Sequence, residues 1–185
     1  MNASTREYET RVASLPFGIN FDPRMATELL TRLNTMEMFV PTHTTFMTPF
    51  QKDSLRYIWL ELRKRDGAFG RFFDRLFSRF PQERECFERV HGFTEEQITK
   101  VVTSLQDIID CTWNNDRDSV DRKIQDLAVH HAEMDVKKVN FERFATVLLE
   151  FMVEEMEEGI SDFDLESWVV ALKIFVNVMG VCLNQ

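Results

Sequence analysis

The chain of 185 residues carries 22 Lys and Arg against 31 Asp and Glu, a formal charge of −9 at pH 7. That balance excludes a general nucleic-acid or anionic-membrane surface, since both partners need a concentrated basic footprint. The length allows one ordinary domain with a sizeable core, but not two. Seventeen phenylalanines and nine methionines against six glycines and five prolines suit a helical protein that surrounds something large and apolar; an aromatic core around nothing is the plainer reading. The three cysteines, Cys86, Cys111 and Cys182, are odd in number and lack metal-ligand spacing, so neither a disulfide framework nor a zinc site is expected and a reducing, cytoplasmic setting fits. The N-terminus shows no signal-peptide core, and no run reads as long enough to span a bilayer. The ending Cys182-Leu183-Asn184-Gln185 departs from a prenylation box at Asn184, which is not aliphatic.

In chain order, residues Met1 to Asn20 are polar and without a sustained period, and read as an arm. Asp22-Pro23 then makes a helix start, with the aspartate as cap and proline in the first turn. Leu29, Leu30, Leu33, Met36 and Phe39 follow at helical spacing, which predicts a helix over 23–39 inside an N-terminal extension of residues 1–47. Its apolar stripe could pack on the main domain, pair with a second copy as a homodimer, or join a larger assembly. Residues 41–45, with His43 among threonines, read as a linker. Thr48 with Pro49 caps a helix whose face is Leu55, Ile58, Trp59 and Leu62, ending at Asp66-Gly67. Phe69, Phe72, Phe73, Leu76, Phe77 and Phe80 then build a wide apolar face up to Pro81. Thr94-Glu95-Glu96-Gln97 has the form of a capping box before Ile98, Val101, Val102, Leu105, Ile108 and Ile109. After a polar connection at 114–118, Ser119 is the expected cap of the next helix, and helices over 141–156 and from Leu165 to Met179 complete the chain. No strand pattern or repeat appears, so the expected fold is all-α, held by helix-on-helix packing of residues 48–185.

The most informative segment is Ser119 to Phe144. Val120, Ile124, Leu127 and Ala128 recur at helical spacing and His131 lies four residues beyond Leu127, on the same side of the cylinder. An inward neutral imidazole is a good ligand for iron, zinc or copper, although a lone one is more often a hydrogen-bonded core residue.

The run Leu127-x-x-x-His131-Ala132, followed by Val136 and Phe141, resembles the proximal segment of a globin. Pro81, six residues before Phe87, resembles the globin turn whose phenylalanine wedges against the haem, and Thr48-Pro49 leading to Trp59 resembles the first globin helix. The resemblance covers roughly 48–181 and implies a globin fold around haem b, iron protoporphyrin IX. On that resemblance His131 is the proximal iron ligand, polarised through its second ring nitrogen. Phe73 lies over the distal side, while Phe87, Leu127, Val136 and Phe141 contact the porphyrin. Lys100 reaches a propionate and Val101 overhangs the iron as an apolar wall. Gln97 stands where many globins carry histidine, and its amide can donate to a bound dioxygen. A helix start at Thr94 would instead bring Val101 to that distal position, and would give Gln106 an inward place that the apolar pattern disfavours. The segment from Phe87 to Gln97 is shorter than most globins allow, so the sixth iron position is open between Gln97, a vacant site and His91, which reads as a loop residue.

Three functions follow from the resemblance. The first is reversible binding of dioxygen or another diatomic gas for storage, transport or sensing. A haem-dependent redox enzyme, such as a nitric oxide dioxygenase, is the second, although no reductase domain and no distal acid–base pair are evident. Third comes a haem-free interaction module, favoured by the crowding of Phe72, Phe73, Phe77 and Phe87.

Overall fold

A computed structural model describes residues 47–91, 93–156 and 159–183. The expected helix at 23–39, the linker with His43 and the residues before Met47 lie outside the described residues. Within them the chain is all-α, with no strand and seven helices: α1 Pro49–Arg63, α2 Ala68–Arg79, α3 Pro81–His91, α4 Glu95–Trp113, α5 Arg117–Glu133, α6 Lys138–Met156 and α7 Asp162–Leu183.

The local causes are mostly those the sequence offers. Thr48 closes α1 with a reciprocal box, its hydroxyl accepting from Gln51 N while the Gln51 side chain accepts from Thr48 N at 2.9 Å. Gly67, at φ 65°, makes the left-handed turn into α2 that a side chain would strain. Other ends differ from expectation. Asp116, not Ser119, caps α5, because its carboxylate accepts from Ser119 N at 3.2 Å after Asn115 turns the chain at φ 59°. Helix α6 begins at Lys138, ahead of Phe141, where the Asn140 side chain accepts from Lys137 N at 2.8 Å. The segment after Pro81 is a helix of 11 residues rather than a turn, with proline at its first position where no N–H is needed.

Helix α7 packs on α1, α5 and α6, α4 packs on α1 and α5, and α2 packs on α3, α4 and α6. Between them Ile58, Trp59, Leu62, Phe72, Phe73, Leu76, Leu148, Met152, Leu165 and Met179 are all but sealed from solvent. Each such side chain stabilises the fold by roughly 1.5–3 kcal/mol. Contrary to the sequence expectation, α7 is long and apolar enough to cross a membrane by length and composition; half of that stretch is buried in the fold, which a soluble core helix also satisfies.

Charged residues sew the same layers. Down one edge of α2, Arg71 pairs with Glu155, Arg75 with Glu154 and Arg79 with the buried Glu150, all on α6. At the α1–α7 junction the buried Asp164 accepts from Ser54 Oγ at 2.6 Å and Ser161 Oγ at 2.6 Å, and from Ser161 N. Those bonds meet the requirement that a buried carboxylate be surrounded by donors.

Candidate functional site

The predicted site residues fall into two groups, one around His131 at the end of α5 and one around Phe73, Phe87 and Gln97. His131 occupies the last turn of α5, half-buried, with Nδ1 2.7 Å from the Leu127 carbonyl oxygen. That geometry makes Nδ1 the N–H donor and leaves the Nε2 lone pair as the acceptor or ligand side. Burial pushes the imidazole below its ordinary value; the bond to Leu127 opposes this in part, and the neighbouring His130 lowers it further. A neutral ring near pH 7 results, the form a metal binds. Phe141, the first core-facing aromatic of α6, packs on the ring with centroids 5.1 Å apart, and Phe175 of α7 backs Phe141 at 5.8 Å. Val136 is half-buried in the connection after α5, held where its N–H donates to His131 O at 3.0 Å. His130, the sequence rival to His131, is exposed.

Across the bundle, Phe73, Phe77, Phe87 and Phe93 form one aromatic group, with Phe73 5.3 Å from Phe87 and 5.2 Å from Phe93, and Phe77 4.7 Å from Phe93. Edge-to-face contacts such as Phe73–Phe87 and Phe77–Phe93 each contribute about 0.5–1.5 kcal/mol beyond burial. Gln97 adjoins this group. Its backbone N–H donates to the Thr94 hydroxyl at 3.4 Å, but its side chain does not return to the cap: Nε2 reaches toward Phe87 O at 3.5 Å. The capping box is therefore half made. Oε1 of Gln97 is buried and has no hydrogen-bond partner among the described residues, a state that costs about 1–3 kcal/mol.

Val101 and Leu127 are half-buried against the core. Lys100 stands exposed and pairs with Glu96 at 2.7 Å along the outer face of α4, so the structure does not bring it to the others. Gln106 likewise turns outward, bonding Asp110 and Arg63. His91 ends α3, and its side chain lies outside the described residues.

Between α4 and α5 an open cleft of about 260 Å³ is lined by Ser104, Asp107, Ile108, Lys123, Asp126, Leu127 and His130. The ion pair of Lys123 with Asp107, at 2.8 Å, runs from one helix to the other. Behind it, Ile108 also borders an apolar cavity of about 50 Å³ reached by Leu105, Ile124, Phe144 and Phe175. Of what a haem needs, the chain supplies a neutral imidazole with one nitrogen tied back and a group of aromatic side chains, but neither cavity is lined by His131, Phe73, Phe87, Gln97, Val101 or Phe141. The open space is the tighter condition, since pockets for ligands of ordinary size run to roughly 300–1,000 Å³. Among the described residues no group of three or more His, Cys, Asp and Glu could hold a metal ion.

Sequence reasoning missed Phe93, Phe144 and Phe175. Phe93 had a readable signal, because an apolar residue just before the cap Thr94, with Ile98 in the first turns, is the pattern of a hydrophobic staple. The other two read only as core positions of long helices.

The family model described as Globin matches residues 70–179, more than half of the chain, from within α2 to near the end of α7. No curated protein matches the chain.

Proposed function

The chain belongs to the globin family, and we propose that it is a haem protein that binds dioxygen or another diatomic gas reversibly, with His131 as the residue that holds the iron. Globins in general bind haem, so the cofactor class follows from the family; haem b, the gas and the residue roles are our reading. The observation that carries it is the bond from His131 Nδ1 to Leu127 O, which fixes the ring and leaves Nε2 as the basic nitrogen.

When bound, haem supplies an iron centre able to take up a diatomic gas. The chain's residues do the rest. His131 presents Nε2 as an uncharged donor and Phe141 holds its ring plane. With haem bound, Leu127, Val136 and Phe141 would exclude water beside His131, and Phe73, Phe87 and Val101 would do so beside Gln97. Gln97 offers an N–H to a partially negative guest and provides no strong ligand atom, which suits release as well as binding. Because neither cavity is lined by His131, accepting a macrocycle requires the side chains around it to move apart.

The experiment is a cycle of the reduced, haem-loaded protein between oxygen and nitrogen. Spectra that interconvert repeatedly support the reading. Rapid one-way oxidation with turnover of an added reductant favours the redox-enzyme alternative. The packing of Phe73, Phe77, Phe87 and Phe93 onto one another favours the haem-free alternative, which predicts no haem uptake at all.

A further inference from the structure

Glu83 is one of the most deeply buried charged residues, 3 % exposed, and it lies in the first turn of α3, one helical turn ahead of Phe87. Both of its oxygens are used, and both by α6: Oε1 accepts from Arg143 Nη1 at 2.7 Å and Oε2 from Asn140 Nδ2 at 2.9 Å. The other end of the Asn140 amide accepts from Lys137 N at 2.8 Å, in the connection that follows His131 and Val136. Asn140 is also the residue before Phe141, whose ring packs on His131. On the opposite side, the carbonyl of Phe87, one turn further along the same helix, receives the Gln97 side chain. The Arg143 guanidinium also lies over the Phe80 ring at 5.4 Å.

From this arrangement we infer that Glu83 is a positioning residue that sets His131 and Gln97 in register, through Asn140 and Phe141 on one side and through Phe87 on the other. The inference rests on the haem reading for its functional meaning, but the positioning itself belongs to the protein without haem. A carboxylate is required because it faces donors on both oxygens. An amide of the same shape would turn its NH₂ toward Arg143 or Asn140, and Asn140 cannot rotate to accept it without giving up Lys137 N.

The test compares Glu83→Gln with Glu150→Gln. Glu150 is also buried between helices, but its described partners Arg75 and Arg79 lie on α2, so it serves as the control for a merely structural pair. In the haem-free full chain, nuclear magnetic resonance should show the His131 ring signals and the Gln97 side-chain amide both displaced in Glu83→Gln and both near their original positions in Glu150→Gln. With haem loaded, the iron–histidine and bound carbon monoxide stretching frequencies should both shift in the first variant and neither in the second. Unmoved signals in Glu83→Gln, movement on one side only, or equal movement in the control overturns the inference. Should Glu83→Gln fail to fold, Asn140→Ala keeps the Arg143 pair and should still displace the His131 signals; an unchanged ring overturns the proposal. Wild-type protein that takes up no haem defeats the haem reading alone, and the haem-free comparison still decides the positioning.

Discussion

Replacing His131 by alanine separates ligation from packing, because the structure limits what packing can lose. The imidazole is half-buried, its one local hydrogen bond goes to Leu127 O, and its main ring neighbour is Phe141. Losing the bond costs about 1 kcal/mol and losing the ring contact about 0.5–1.5 kcal/mol. Alanine returns roughly 0.5 kcal/mol as the better helix former. The haem-free variant should therefore lose only about 1–2 kcal/mol in urea unfolding. Haem affinity, by contrast, should fall by at least ~100-fold, since even outer partners of a metal ligand are worth about 10–100-fold. Unfolding with and without haem, together with haem transfer to a competing acceptor, measures both quantities. Imidazole added to the variant should restore part of the reduced spectrum. Loss of more than about 3 kcal/mol without haem, joined to unchanged haem retention, would show His131 to be a core residue and refute the reasoning.

Gln97→Leu removes an unpaired buried oxygen and so should leave the haem-free protein as stable or up to about 1 kcal/mol more stable; in the loaded protein, oxygen release followed by stopped flow should speed up about tenfold, the equivalent of one hydrogen bond. The depressed His131 value sets a pH dependence: the folded state resists protonation more than the unfolded chain does, so His131 contributes no penalty above about pH 6.5, and stability falls as pH drops below that, levelling off once the folded ring protonates. His131→Ala should lose this part of the acid slope in pH-dependent unfolding, and an identical slope would contradict it. Asp164→Ala leaves Ser54 and Ser161 without their buried acceptor and should lower stability by about 2–4 kcal/mol, read as a shift in urea midpoint with little change in haem affinity.

What the sequence disclosed and what it withheld divide along a physical line. Helical periodicity placed Trp59, Phe72, Ile124 and Leu165 in the core, and Thr48 with Pro49 marked the start of α1, because burial and capping act over a few neighbouring residues. The inward direction of His131 was legible for the same reason. Ser119 looked like a cap through its residue type, yet Asp116 took the role because the turn at Asn115 starts the helix earlier. Gln97 could be read either as closing a capping box or as facing inward; which side chain bonds prevail depends on where Phe87 places its carbonyl, a tertiary fact. Lys100, set near a propionate by the resemblance, pairs with Glu96 on the exposed face of α4. The Glu83 network joins residues about 60 positions apart, and a single sequence carries no local mark of such a pairing.

The central claim, that this fold holds a porphyrin iron through His131, is tested most directly by titrating haem into the purified full chain and into His131→Ala. The account predicts a strong Soret band that saturates at one haem per wild-type chain, with a reduced spectrum of histidine-bound iron that the variant lacks. A wild-type chain that stays without a saturable band under haem excess, or a variant whose titration and reduced spectrum match the wild type, would contradict it.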